Sequence, residues 1–380
     1  MAMRFRCTAA TTRNSGARAT RRKRMPVAEN GARCCRGSEP RMCWSIRPKS
    51  RCWQAFWPPT ATPCRCGTGR WKHGRRRLDR LATARCCNVV RGDNDDSDWP
   101  PLRMNQALLR FDDLAARKDD PALFARWLFS GSLAERPHGL DGMQFRCSLC
   151  MAVTRMARRE GVEDLREGMP CATCGMSARL RSCLAMLGTL VEPSDRIYIT
   201  EQGTPAFAWL QARYPHVRGS EFEPDADRRA ALAAYLESLG GHGPIEFQDV
   251  TRLDMADDSL HAVACFDVLE HVPDYRAALR EFARVLRAGG HLLATFPFTD
   301  GPDTVVRASL SPQGEVVHHM EPEYHGDPVG GAVLCFQHFG WDVLAAVREA
   351  GLAHAEMVMP WSPEHGLLYG NWMLLARKTG

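Results

Sequence analysis

From Arg196 onward, short apolar runs alternate with stretches whose apolar residues recur at helical spacing. Strand-like runs occupy 196–200, 216–222, 244–248, 262–267, 290–297, 354–360 and 370–377. Helical patterns fill 204–213, 226–239, 273–286 and 341–351, and another covers 179–191. Strands joined through helices need crossover connections. The alternation therefore predicts an α/β fold with a parallel sheet and helices on both faces. Ligands of such folds bind beyond the carboxyl ends of the strands, where the strand order reverses. The residues that follow each strand are thus the candidates.

After the first strand stands Thr200-Glu201-Gln202-Gly203-Thr204-Pro205. Thr204 suits an N-cap and Pro205 the first helical position, while Gly203 lets the backbone approach a ligand. Glu221 follows the second strand, eighteen residues beyond Gly203. An acid about twenty residues past the first turn is placed to accept from ribose hydroxyls, and Glu223 competes for the role. Asp249 and Val250 follow the third strand, where a carboxylate could accept from an adenine amino group. Phe266-Asp267-Val268-Leu269-Glu270-His271-Val272-Pro273 follows the fourth.

Upstream, Cys147-Ser-Leu-Cys150 and Cys171-Ala-Thr-Cys174 are separated by twenty residues. Two residues between paired thiolates let a tight turn aim both sulfurs at one ion, and two such pairs complete a tetrahedron. Pro170 and Gly175 suit the second turn. The pattern predicts a structural zinc site in a small zinc-ribbon-like module over 143–182, because four thiolates leave no open position. Cys183, Cys265 and Cys335 lack such spacing and read as buried thiols. A thiolate zinc site with unpaired cysteines favours a reducing, cytoplasmic setting.

A helical lead-in is expected over 104–142, with helices at 104–117 and 121–130, the latter capped by Asp120 before Pro121. Residues 1–103 differ from everything after them. They carry 24 Lys+Arg against 7 Asp+Glu, so the chain's net +6 arises there and residues 104–380 are net acidic. Nine of the sixteen cysteines lie in this stretch, yet residues 1–77 contain no Leu, one Val and one Ile. Such a segment cannot bury enough apolar surface to offset chain entropy. The favoured reading is a spurious extension from a start placed too early, with Met104 as the true start, or a disordered basic tail. A transit peptide and a scaffold built on Cys34, Cys35, Cys43, Cys52, Cys64, Cys66, Cys86 and Cys87 rank below these. No run of eighteen apolar residues exists, so no transmembrane helix and no membrane partner are expected.

The segment Asp267-Val268-Leu269-Glu270-His271-Val272, followed by Ala278-Leu279-Arg280-Glu281 and Arg284-Val285-Leu286-Arg287-Ala288-Gly289-Gly290, resembles the middle of class I S-adenosylmethionine-dependent methyltransferases, most of all methyltransferase type 11. The resemblance covers roughly 195–300 and implies a doubly wound, Rossmann-like sheet over 183–380 that is mostly parallel and ends in an antiparallel hairpin. It implies S-adenosylmethionine as cofactor. Glu201 and Gly203 would face its methionine part, Glu221 would hold the ribose, and Asp249 with Val250 would flank the adenine. Asp267 would lie near the sulfonium with His271 close by, the two catalytic candidates. His271 reads equally as a residue hydrogen-bonded to backbone at a helix start. The family's first loop is normally richer in glycine than Glu201–Pro205.

After the fifth strand, 316–341 is rich in His, Glu and Tyr and could orient an acceptor or take its proton. Its polar residues could equally cover the sheet end. His318, His319, His325 and Asp327 follow no standard ligand spacing. The leading expectation is methyl transfer to a small-molecule or glycan-like acceptor. The second is an RNA methyltransferase docking through the zinc module, whose Arg155, Arg158, Arg159, Arg166, Arg179 and Arg181 make a modest basic patch offset by Glu160, Glu163, Asp164 and Glu167. The third is a non-catalytic binding protein on the same fold.

Overall fold

The computed structural model describes residues 103–118, 120–135, 143–156, 164–326 and 329–380. The expectations for 1–102, and for Arg158, Arg159, Glu160, Glu163, Asp327 and Pro328, lie outside these residues.

The lead-in comprises α1 (Met104–Ala107), β1 (Leu108–Phe111), α2 (Leu114–Lys118) and α3 (Pro121–Glu135). A hairpin of β2 (Gln144–Arg146) and β3 (Val153–Arg155) opens the cysteine module, and α4 (Ala178–Leu187) leaves it. Then come β4 (Ile197–Ile199), α5 (Pro205–Gln211), β5 (Val217–Gly219), α6 (Ala226–Ser238), β6 (Leu260–Phe266), α7 (Tyr275–Val285) and β7 (Leu286–Thr295). Six short strands follow: β8 (Val305–Val306), β9 (Ala308–Leu310), β10 (Val316–His318), β11 (Tyr324–Gly326), β12 (Ala332–Leu334) and β13 (Gln337–His338). The chain closes with α8 (Val343–Glu349), β14 (His354–Pro360) and β15 (Met373–Arg377).

One seven-stranded sheet runs β1-β14-β15-β7-β6-β4-β5. β5, β4, β6 and β7 are mutually parallel, while β15, β14 and β1 add antiparallel. This is the doubly wound sheet with a closing hairpin that the sequence implied. The order reverses at β4, which pairs with β5 on one side and β6 on the other. β4 is Ile-Tyr-Ile, wholly buried on both faces, as a central parallel strand must be. The core divides into two clusters. Leu184, Phe207, Leu210 and Leu236 belong to one, and Leu279, Phe282, Leu344 and Val347 to the other. Phe282 is completely buried on the apolar face of α7, a burial worth about 2–3 kcal/mol.

Local signals hold where side chains cap. Thr204 Oγ1 accepts from the Phe207 N–H at 3.2 Å, with Pro205 at the first turn of α5. Asp120 accepts from Ala122 and Leu123 at 2.7 and 3.1 Å at the start of α3.

Three expectations need correction. The helix read over 104–117 is broken by β1, which pairs antiparallel with β14 from Leu108↔Pro360 to Phe111↔Met357. Its Phe111 is buried against Trp341 and Trp372, and that aromatic seat overrides helical propensity. The strand read over 244–248 is reduced to one bridge, Glu221↔Phe247, because the Gln202 side chain takes the Pro244 carbonyl and the Glu246 N–H that a ladder would use. The long loop after β7 is instead folded into ribbons, β9 with β10, β11 with β12 and β8 with β13. Among the described residues no helix is long and apolar enough to cross a membrane.

Candidate functional site

The ends of β4 and β5 are tied through Gly203. Its N–H donates to Glu221 Oε1 at 2.6 Å. A Cβ at Gly203 would lie 2.9 Å from Leu232 and 3.2 Å from that carboxylate oxygen, so a side chain here would have to push Leu232 and the carboxylate aside. Glu221 is itself fixed, its N–H donating to Glu246 and its carbonyl accepting from Gln248. Gln202 braces the same place by donating to Pro244 and accepting from the Glu246 N–H. Glu201 is buried, and one of its oxygens accepts from the Thr200 hydroxyl at 2.6 Å and the Phe266 N–H at 3.3 Å. Its other oxygen has no hydrogen-bond partner among the described residues. Burial pushes its pKa well above the ordinary value. A buried acceptor without a donor invites a ligand's amino group. Asp249 turns toward its own loop, accepting from Thr251 N–H and hydroxyl at 2.8 and 2.7 Å, and Val250 beside it is buried.

Asp267 follows β6 with a left-handed φ of 59°. Its carboxylate accepts from Thr295 at 2.9 Å, from Arg166 in a short contact, and pairs with Arg179 at 3.2 Å. Burial alone would raise its pKa, but Arg179 and then Arg166 outweigh that and hold it at about 2. Both arginines come from the cysteine module, on either side of the Cys171–Cys174 pair, and Arg179 also contacts Glu167. Sequence reasoning placed them on a basic surface. The fold instead turns them inward, and Arg181 is fully buried, donating to the carbonyls of His365 and Gly366 at 2.7 and 3.0 Å. Half of that six-arginine patch is thereby engaged within the protein.

The four cysteines expected to act together are brought together. The Sγ atoms of Cys147, Cys150, Cys171 and Cys174 lie within 4.8 Å of one another, with Cys147–Cys174 and Cys150–Cys171 both at 3.8 Å. A tetrahedron with metal–sulfur bonds of about 2.3 Å has edges of about 3.8 Å. Gly175 takes the left-handed φ of 73° that the second turn needs, and its N–H donates to the Cys171 carbonyl at 2.8 Å.

Glu270, three residues past Asp267, is completely buried, and neither oxygen has a hydrogen-bond partner among the described residues. Burial first, then the charge of Asp267, pushes its pKa up to about 8. His271 Nδ1–H donates to the Leu334 carbonyl at 2.9 Å, and burial lowers its pKa. Its Nε2 faces His325 Nδ1 at 3.2 Å, the two rings meeting edge to face. So the backbone hydrogen bond considered for His271 is real, and a second histidine faces its other nitrogen. His318 and His319 lie apart; His318 is exposed and His319 meets Ser309. An open cavity of about 530 Å³ is lined by Arg117, Phe124, Trp127, Asp300 and Tyr369.

A family model described as a methyltransferase domain matches residues 203–294. A ubiquinone biosynthesis O-methyltransferase of Alkalilimnicola ehrlichii is 32% identical over 80 residues, covering 20% of this chain and 32% of that protein. Methyltransferase GfsG of Streptomyces halstedii is 32% identical over 109 residues, covering 28% and 36%. The chain thus spans about a third of the length of these curated relatives. Among solved structures, the amino pentose methyltransferase CalS10 of Micromonospora echinaspora aligns over 54% of this chain and 93% of its own, with 20% identity and a TM-score of 0.36. The matched segment runs from Gly203 through β7, and the sheet is that of a Rossmann-like methyltransferase fold.

Proposed function

We propose that this chain is an S-adenosylmethionine-dependent methyltransferase acting on a small-molecule or glycan-like acceptor. The observation that carries the reading is the Gly203–Glu221 junction at the strand-order reversal, inside the segment that matches the methyltransferase model. The residues fit the cofactor. A side chain at position 203 would fill the cradle, and the unpartnered Glu201 oxygen can accept from an ammonium. Glu221 would hold the ribose, Asp249 and Val250 would flank the adenine, and Asp267 would face the sulfonium end. When bound, the cofactor supplies an electrophilic methyl group. The chain's own part is to position the acceptor in line and exclude water. The cavity beside Asp300 and Tyr369 is the acceptor site in this reading, with Phe124 and Trp127 offering flat apolar walls.

The four cysteines hold a structural zinc ion in the same proposal. Four thiolates around Zn²⁺ leave a net charge of about −2. Burial lowers the Arg181 pKa, and the charge of the four cysteines, close to its guanidinium, works against that lowering. The module then serves the reaction site by presenting Arg166 and Arg179 to Asp267.

Titration of S-adenosylhomocysteine into the full chain by calorimetry tests the reading. Binding is expected for the wild type and lost in Glu221→Ala, while Glu221→Gln, which can still accept from Gly203, weakens it by about tenfold, the equivalent of ~1.4 kcal/mol. A folded wild-type chain that binds no S-adenosylhomocysteine would favour the non-catalytic reading instead.

A further inference from the structure

Glu270, His271 and His325 are left unexplained by the arrangement above. His271 spends its Nδ1 proton on the Leu334 carbonyl, which leaves its Nε2 as a lone pair. His325 is fixed the other way round. Its Nε2 lies 3.2 Å from Glu323 Oε1, a carboxylate that also takes His338 at 3.1 Å and Arg307 at 3.2 Å. Glu323 thus sits among an arginine and two imidazoles as the acceptor, and His325 Nε2 carries the proton. His325 Nδ1 is then a lone pair as well. Two lone pairs therefore face each other at 3.2 Å, beside a fully buried carboxylate that receives no hydrogen bond among the described residues. The Glu270 carboxyl has no hydrogen bond and both ring lone pairs converge beside it, so a cation that displaces the carboxyl proton would satisfy all three groups at once.

We propose that Glu270, His271 and His325 form a metal site, separate from the four cysteines, that takes a first-row divalent cation such as Zn²⁺ or Fe²⁺. Glu270 Oε1 lies 3.8 Å from His271 Nε2 and 3.8 Å from His325 Nδ1. With the 3.2 Å between the nitrogens, the point equidistant from the three atoms is about 2.1 Å from each, the bond length of zinc to imidazole or carboxylate. Two imidazoles with one carboxylate suit Zn²⁺ or Fe²⁺ and disfavour Mg²⁺, which prefers oxygen and water. Both rings already donate their second nitrogen, one to a backbone carbonyl and one to a carboxylate. That is the outer support that orients metal-bound histidines and raises their basicity. Three protein ligands leave a coordination position for water or a substrate oxygen. His325, about a third exposed, leaves a way in from solvent. The site stands on its own geometry and does not depend on the methyltransferase reading.

The test counts ions. The untagged full chain is incubated with excess ZnCl₂, desalted, and its zinc measured by mass spectrometry. Wild type is expected to retain one equivalent more than His325→Ala and one more than Glu270→Gln. His319→Ala, on a neighbouring exposed histidine outside the cluster, keeps the wild-type count. In Co²⁺-loaded protein, the intense thiolate charge-transfer band survives in His325→Ala, while the weaker nitrogen/oxygen-site absorption disappears. Glu270→Gln preserves volume and His325 is on a surface ribbon, so the circular dichroism of both variants is expected to match wild type. Equal zinc in folded wild type and His325→Ala overturns the proposal and assigns a shared proton to the two rings. Equal losses in His319→Ala and His325→Ala overturn it too, because they mean surface binding.

Discussion

At the scale of single residues, Asp267 is the most consequential group. Its folded pKa of about 2 lies below the ordinary 3.8, so the folded chain binds fewer protons there than the unfolded one. The stabilisation is fully present above about pH 4 and is lost as pH falls through 2, a swing of about 2 kcal/mol. Urea unfolding at pH 6 and at pH 2.5 is expected to show a loss of stability about 1.5 kcal/mol larger in wild type than in Asp267→Asn, since about two-thirds of the swing is complete at pH 2.5. At pH 6 that variant, left with two guanidiniums and only Glu167 to balance them, unfolds about 3 kcal/mol more easily. Gly203→Ala must displace Leu232 or the Glu221 carboxylate. It is expected to cost about 1–3 kcal/mol and to weaken S-adenosylhomocysteine binding measured by calorimetry. The strand-end acids were legible because chain direction and a fixed side of the sheet determine them. Arg166 and Arg179 were not: charge and spacing suggest a solvated face, and only the packing of the cysteine module on the sheet edge turns them inward.

At the scale of elements, β1 carries the main lesson. Leu108, Leu109 and Phe111 fit a helical period as well as a strand, and four residues are too few to separate the two by pattern. The decision is made by β14, distant in sequence, and by the aromatic seat that Trp341 and Trp372 offer Phe111. Phe111→Ala is therefore expected to destabilise by about 3–5 kcal/mol and to lower the melting temperature in a thermal scan. A peripheral helix would show a much smaller effect. The ribbon of β11 and β12 teaches the same thing about the site. It brings His325 to His271 across 54 residues of chain, and nothing local in either segment encodes that meeting. The paired cysteines, by contrast, were plain from spacing alone, because the tight turn that fixes two thiolates is a local structure.

At the scale of the whole described molecule, the cysteine module and the sheet are interdependent. Arg181 stacks its guanidinium 4.5 Å from the centre of Phe145 and holds the backbone of 365–366, while Arg166 and Arg179 reach Asp267. Cys171→Ser is expected to lower the melting temperature and also to weaken S-adenosylhomocysteine binding in calorimetry, although Cys171 is not among the residues proposed to hold the cofactor. Unchanged affinity in a folded variant would separate the module from the reaction site. The strand order has a further consequence, for behaviour in concentrated solution. β14 is seven residues long and rich in apolar side chains, and without a neighbour it would present an open row of amide and carbonyl groups able to recruit another chain. β1 covers its last four residues, from Met357 to Pro360, with Arg110 and Glu356 paired on the rim. The opposite margin is β5, only three residues long. Both margins of the sheet are thus poor templates for strand addition, so the lead-in acts as a built-in guard against self-association.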